Sequence, residues 1–253
     1  MLAVVSAGAY WAAVAVATVA CTLLCREARR RPGPWTTTAS RALGILLATD
    51  AIVYTTGKTL AGFSASTSLP LALCDVAALV AAAACWWPRP ILVELTYFWG
   101  LAGTLQAVAT PDVKTHFPHL AFFEYLFGHL AIVVAALYLV VGLHHTPRPG
   151  AVRRVFIITA GYSAFVGLVD ATTSADYMFL RQPPSQWTLL KVLGPWPWYI
   201  ASAAGIAVVL LLLLDSPFWP SRRRAHEPLL HGTRATTVQE KDLAPPAQLA
   251  SRG

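Results

Sequence analysis

Charge is what this sequence has least of. Asp, Glu, Lys and Arg make up only 12% of its 253 residues, about half of the roughly 25% usual in a soluble domain. That is too little to cover a water-soluble globule, and a hydrophobic share of 56% with mean hydropathy +0.56 excludes disorder. Acidic residues are scarcest, 12 against 19 Lys and Arg, for a formal net charge of +7. The excess falls between apolar runs and in a tail, so it implies no nucleic-acid partner. Cys21, Cys25, Cys74 and Cys85 contain no CxxC pair and lie in or at the ends of apolar runs. This spacing counts against structural zinc and against a disulfide framework. No metal and no cofactor is expected. The first 24 residues lack a basic leader ahead of their apolar run, and the arginines follow it, so the stretch reads as a retained span. No internal repeat is visible, which counts against a transporter built from duplicated halves.

What the chain does have is long apolar runs. A bilayer core of about 30 Å needs about 20 apolar residues in a helix. Spans fall near 2–24, 42–62, 69–87, 90–110, 120–143, 152–173 and 197–215. The expected fold is all-α, a polytopic bundle of seven transmembrane helices over residues 1–217. Residues 218–253, polar and Pro-containing, read as a disordered cytoplasmic tail. Fifteen Lys and Arg lie on one side of these spans, among them Arg26, Arg29, Arg30, Arg31, Arg41, Arg148, Arg153 and Arg154. Only Lys58, Lys114, Arg181 and Lys191 lie on the other. The positive-inside rule then places the amino terminus outside and the carboxyl terminus in the cytoplasm. The expected location is the plasma membrane, with membrane lipids as partners and the oligomeric state left open.

Ionisable residues at membrane depth are costly and usually face a cavity or one another. Here they are Asp50, Asp75, Glu94, Glu124, His129 and Asp170, joined by Cys74, Gln106 and Thr110. Cys74 and Asp75 lie near the outer end of span three, and Gln106 and Thr110 at that of span four. Glu124 and His129 lie about 6 and 13 Å below the outer end of span five, at about 1.5 Å per residue. Asp170 is near the outer end of span six, and span seven starts with Trp196-Pro197-Trp198-Tyr199. A shared outward-facing pocket accounts for them together. Each also has a plainer role. A lone Cys is commonly a small buried hydrophobe. A lone His commonly bonds one helix to another. Glu94, near the arginine-rich side, suits a structural partnership with Arg or Trp. Asp50 sits mid-span, with His129 the one cation at its depth. His116 and His119, three apart in a loop, are weak evidence for a metal.

Several runs resemble a bacterial family of integral membrane proteins, the YwaF type, grouped with animal transmembrane protein 164. They are Leu69-Pro70-Leu71-Ala72-Leu73-Cys74-Asp75, the stretch from Glu94 to Gln106, the stretch from Phe117 through Glu124-Tyr125 to His129, Tyr177-Met178-Phe179-Leu180, and Gly194-Pro195-Trp196-Pro197-Trp198-Tyr199. The resemblance covers residues 69 to 215 well and the first two spans poorly. It implies a phospholipid acyltransferase in which a cysteine carries the acyl group and a histidine assists, matching Cys74 and His129. Bacterial relatives often carry His where Ala72 stands and another in the first span, which has none.

In chemical terms, a neutral Cys–His pair is workable when the imidazole takes the thiol proton during attack. Asp75, Glu124 or Asp170 are candidates to orient that imidazole. Glu124 and His129, five residues apart, are about 140° apart on a helix, so a carboxylate from another span suits better. Gln106, Thr110 or Tyr199 could donate to an acyl oxyanion. Two other readings stand beside the enzyme: a transporter or small-ligand binder using Asp50 and His129, and a structural membrane protein with a vestigial pocket. The orientation is directly testable. A cysteine introduced within residues 26–41 should resist impermeant thiol reagents applied to intact cells; labelling there would invert the topology.

Overall fold

In a computed structural model of the chain, residues 2–109, 119–183, 189–220 and 222 are described. All regular structure among them is helical: α1 (Leu2–Arg30), α2 (Pro34–Leu60), α3 (Leu73–Trp86), α4 (Pro90–Phe98), α5 (Leu105–Ala109), α6 (Leu120–Leu137), α7 (Ala151–Thr173) and α8 (Trp198–Asp215). A π-helical segment, Trp99–Thr104, joins α4 to α5, and another, Tyr138–Gly142, ends α6. Five stretches are long and apolar enough to cross a membrane: Ala7–Arg30, Pro90–Ala109, Ala121–Gly142, Ala151–Thr173 and Trp198–Phe218. The two remaining expected spans fall on α2 and α3. α2 has the length, but its 27 residues include Arg41, Asp50 and Lys58. α3 has the apolarity but only 14 residues. The chain divides after Asp215 into two units. Of the second, the described part includes the short 3₁₀ turn Ser216–Phe218 and Arg222, whose guanidinium stands 5.8 Å over the Phe218 ring. The expected disordered tail lies mostly outside the described residues.

Proline and glycine punctuate the helices. Pro34 and Pro90 occupy the first turns of α2 and α4, where the missing N–H has no partner to lose. Gly150, at φ 76°, turns the chain into α7 through the left-handed region. α1 and α2 outrun their apolar spans, α1 to Arg30 and α2 back to Pro34, so only three residues separate them. Apolarity marks membrane depth, whereas helix continues until a backbone breaker stops it.

The interior lies around α4 and α6, where 56% of each crossing window is buried, against 17% for α1, α7 and α8. α3 packs on α2, α4 and α6 through a small-residue surface: Ala77, Ala78, Ala81, Ala82, Ala84 and Cys85 are buried. Small residues let helices approach closely where lipid offers no hydrophobic drive to associate. At Gly44 of α2 a Cβ would fall 2.7 Å from Trp86 Cδ1 and 3.0 Å from the Ala82 carbonyl oxygen. α1 and α6 run parallel: the Tyr10 ring meets Phe122 at 6.2 Å, and Gly142 lies against Cys25.

Carbonyls in the last turn of a helix lack intrahelical donors, and side chains of neighbouring helices supply them. Tyr10 donates to Val108 at 2.8 Å, Tyr125 to Ala107 at 2.9 Å, Ser40 to Cys85 at 2.8 Å and Tyr97 to Leu214 at 3.1 Å. The strongest tie is ionic. Glu94 of α4 is fully buried. Its Oε1 accepts from Arg148 Nε at 2.9 Å, the Arg148 backbone N–H at 3.1 Å and Arg154 Nη2 at 2.8 Å. Its Oε2 accepts from Arg154 Nε at 3.1 Å and Arg148 Nη2 at 3.3 Å. The structural partnership expected of Glu94 is thus with two arginines from the far side of the sequence.

This geometry ranks two perturbations. Glu94→Gln leaves guanidiniums that can turn to water and should cost about 1–3 kcal/mol, chiefly from unmet hydrogen bonds. Arg148→Ala with Arg154→Ala strands a buried carboxylate and should cost about 3 kcal/mol or more. Unfolding midpoints in detergent should fall in that order; the reverse order would deny Glu94 its role as the buried partner.

Candidate functional site

A cavity of about 500 Å³ lies between α2, α3 and α6. Asp50, Tyr54 and Thr55 line it from α2, Cys74, Asp75 and Ala78 from α3, and Glu124, Tyr125, Gly128 and His129 from α6. Leu79, Ile52, Ile132 and Pro70 add apolar wall, so the cavity joins three carboxyl groups to a largely apolar lining. Such a cavity can take an amphiphile.

Local sequence explains each position. Cys74 and Asp75 occupy the first turn of α3, which starts after the extended Ala72. The segment leading into them is held by Tyr162, whose hydroxyl donates to the Leu71 carbonyl at 2.8 Å. The buried Thr104 is the hydroxyl that acts on the Cys74 thiol. Thr104 closes the π-helical segment, where the wider turn shifts all later side chains around the helix. Lys58 is the cation acting on Asp75, and its Nζ stands 4.2 Å from the centroid of the Tyr54 ring.

His129 is held twice by one residue. Its Nδ1 lies 2.7 Å from the Tyr125 carbonyl oxygen, and its ring stacks on that of Tyr125 at 4.2 Å and 27°. A carbonyl oxygen only accepts, so Nδ1 carries the hydrogen, and the neutral imidazole offers Nε2 as its acceptor. Tyr125 is anchored in turn through its hydroxyl on Ala107. A rigid imidazole of known tautomer on a cavity wall is equipped to take a proton there.

Glu124 and His129 both line the cavity although five residues separate them. Ala121, Tyr125, Gly128 and Ile132 lie between them on the helical wheel, so the two stand at opposite edges of one face about 140° wide. The expected angle is right, but the cavity is broad enough to take in both edges. Asp50 lies directly against this face: a Cβ on Gly128 would sit 2.6 Å from Asp50 Oδ2. Glycine at 128 makes the room that a carboxylate needs there.

Among the described residues, the expected site residues Asp170, Tyr199 and Gln106 do not line this cavity. Asp170 is fully buried and accepts the Tyr177 backbone N–H at 3.2 Å on both oxygens, closing the turn after α7. Tyr199 is buried and donates to the Phe179 carbonyl. Gln106 is exposed on α5, beyond the register shift of the π segment. Thr110 and His116 lie outside the described residues. His119 caps α6, its Nδ1 accepting from the Ala121 N–H at 3.3 Å. Residue spacing singled out neither Thr104 nor Tyr125. The position of Tyr125 one helical turn before His129 was the available signal for it, whereas Thr104 depends on the π turn.

The fit of Asp50 to Gly128 can be measured. Gly128→Ala should destabilise by about 1–2 kcal/mol, overpacking outweighing the gain in helix propensity. In an Asp50→Ala background the same change should be neutral or stabilising. Additive effects in that double-mutant cycle would show that the two positions do not touch.

A family model described as the TMEM164 family matches residues 4–215. No curated protein and no solved structure matches the chain.

Proposed function

Because the chain belongs to the TMEM164 family, a family of multi-pass membrane proteins, we propose that it is a lipid acyltransferase with Cys74 as nucleophile and His129 as base. The observation that carries this reading is that Cys74 and His129, on two different helices, line the same apolar-bodied cavity while His129 keeps Nε2 free of its own helix. The bundle is read as seven crossing segments of the plasma membrane, amino terminus outside, on the fifteen-to-four division of Lys and Arg.

In the first half-reaction the Cys74 Sγ attacks the ester carbonyl of a donor lipid while its proton passes to His129 Nε2. The tetrahedral intermediate collapses by breaking the acyl C–O bond, and the lysolipid oxygen leaves with the proton from Nε2. A thioester on Cys74 results. In the second half-reaction the hydroxyl of an acceptor lipid attacks that thioester and gives its proton to Nε2, which returns it to the departing Sγ. The histidine acts as base and then acid in each half. Asp50 and Glu124, on the same cavity, stabilise the imidazolium formed in between.

One observation favours a second reading. Three carboxyl groups, Asp50, Asp75 and Glu124, share the cavity with one histidine. An acidic cleft around an imidazole also suits proton-coupled binding of a small cation, without covalent chemistry.

Incubation with phospholipids, followed by digestion and mass spectrometry, should find an acyl mass on Cys74. Cys74→Ser should lower acyl transfer by a factor of at least 10³ while preserving the fold, and His129→Ala should act comparably because the pair works as a unit. Full transfer in Cys74→Ser would remove the nucleophile. No adduct with intact cation binding would leave the second reading in its place.

A further inference from the structure

A second groove, of about 510 Å³, runs along α1 and α6 on a different side of α6 from the candidate site. At one end it is bounded by Arg26, Arg29 and Arg30. Towards the other end Thr18 and Thr22 form its α1 wall, facing Val134 and Leu137 of α6. Both threonine hydroxyls are already spent within α1: Thr18 donates to Val14 and Thr22 to Thr18, each at 2.8 Å. What those residues offer the groove is therefore mainly methyl surface. The trough is apolar along its length and basic only at its end.

The charge at that end is not neutralised. Glu27, the carboxylate within the cluster, pairs with Arg31 at 3.2 Å. Arg26, Arg29 and Arg30 are exposed, and none is in an ion pair among the described residues. Three guanidiniums on one and a half helical turns match the several oxygens of a phosphate, which arginine can bind bidentately. From Ala17 to Arg29 the groove extends about 18 Å along α1 at 1.5 Å per residue. Half of a bilayer core of about 30 Å is about 15 Å. With the guanidiniums at the phosphate level, the apolar trough reaches the bilayer midplane, the depth of one acyl chain of one leaflet.

We infer that this groove binds one anionic phospholipid, its phosphate on Arg26, Arg29 and Arg30 and an acyl chain between α1 and α6. The inference rests on membrane residence and not on acyl transfer at Cys74, which lies on the other cavity. The bound lipid seals α1 onto α6. It also makes the α1–α6 pair responsive to the anionic lipid content of the leaflet that contacts the arginines.

Native mass spectrometry of the full chain in detergent, with phosphatidylglycerol or phosphatidylcholine of identical chains, tests this. The protein should retain one phosphatidylglycerol at least tenfold better than phosphatidylcholine. Replacing all three arginines (Arg26→Gln, Arg29→Gln, Arg30→Gln) should weaken retention by roughly a hundredfold, at about fivefold per arginine. Thr22→Trp, an exposed position that fills the trough and leaves the charges intact, should weaken it at least tenfold. Arg222→Gln with Arg223→Gln and Arg224→Gln, which removes as much charge elsewhere, should change nothing. Equal retention of both lipids overturns the proposal. So does unchanged retention in Thr22→Trp, which would reduce the effect to surface charge, or displacement by millimolar glycerol phosphate, which would make the ligand a free phosphate. If the triple variant fails to fold, Thr22→Trp alone decides.

Discussion

A buried carboxylate must be paired, and the fold is arranged so that Glu94 is. Its partners come from Arg148, in the connection after α6, and Arg154, in the first turn of α7, more than fifty residues along the chain. With five hydrogen bonds on two oxygens, Glu94 has its acceptor capacity filled. The pairing contributes less to net stability than its bond count suggests, because desolvation offsets much of the attraction. What it determines is register. α4 has one rotation and one depth that present Glu94 to both arginines. Ten residues later, at the end of the π segment, Thr104 comes beside Cys74.

The remaining cohesion is of the kind a bundle in lipid can use. α2 and α3 touch backbone to side chain at Gly44, and α1 and the end of α6 touch backbone to backbone at Gly142, where dispersion replaces the missing hydrophobic drive. Tyrosines and a serine donate across helices to carbonyls that their own helices leave open. These bonds link helix ends rather than helix middles, so the ends are fixed while the space between α2, α3 and α6 stays open. The cavity exists because small residues bring the helices close at one level and carboxylates with a glycine hold them apart at another. Asp50 and Gly128 are the clearest instance of the second.

Helical class and membrane residence were legible from apolar runs and scarce charge. Helix limits were less legible, because α1 and α2 continue past the apolar stretch into arginine-bearing turns. Cys74, Asp75, Glu124 and His129 share a cavity as depth alone suggested. Depth does not report azimuth, however, so Asp170 and Tyr199 were grouped with them although their partners are the turn at 177–179. Thr104 was invisible for a related reason. A 3.6-residue period cannot place side chains beyond a π turn. Asp50 was noticed as a lone charge at mid-depth, but its place on the cavity depends on α2 meeting α6 at Gly128, a contact that no local pattern encodes.

The shortness of α3 has a mechanical consequence for the surrounding lipid. Fourteen residues rise about 21 Å, some 9 Å less than a bilayer core of about 30 Å. Such a mismatch is relieved by thinning the bilayer or by admitting water beside the short helix, since irregular backbone at that depth must be satisfied by protein or water. If α3 crosses the bilayer, a deficit at its Leu73 end would fall beside Cys74 and Asp75, in its first turn. Lipid meeting the protein there would be compressed, its ester groups drawn below their normal depth. The bilayer would then be thinnest beside the cavity that Cys74 lines.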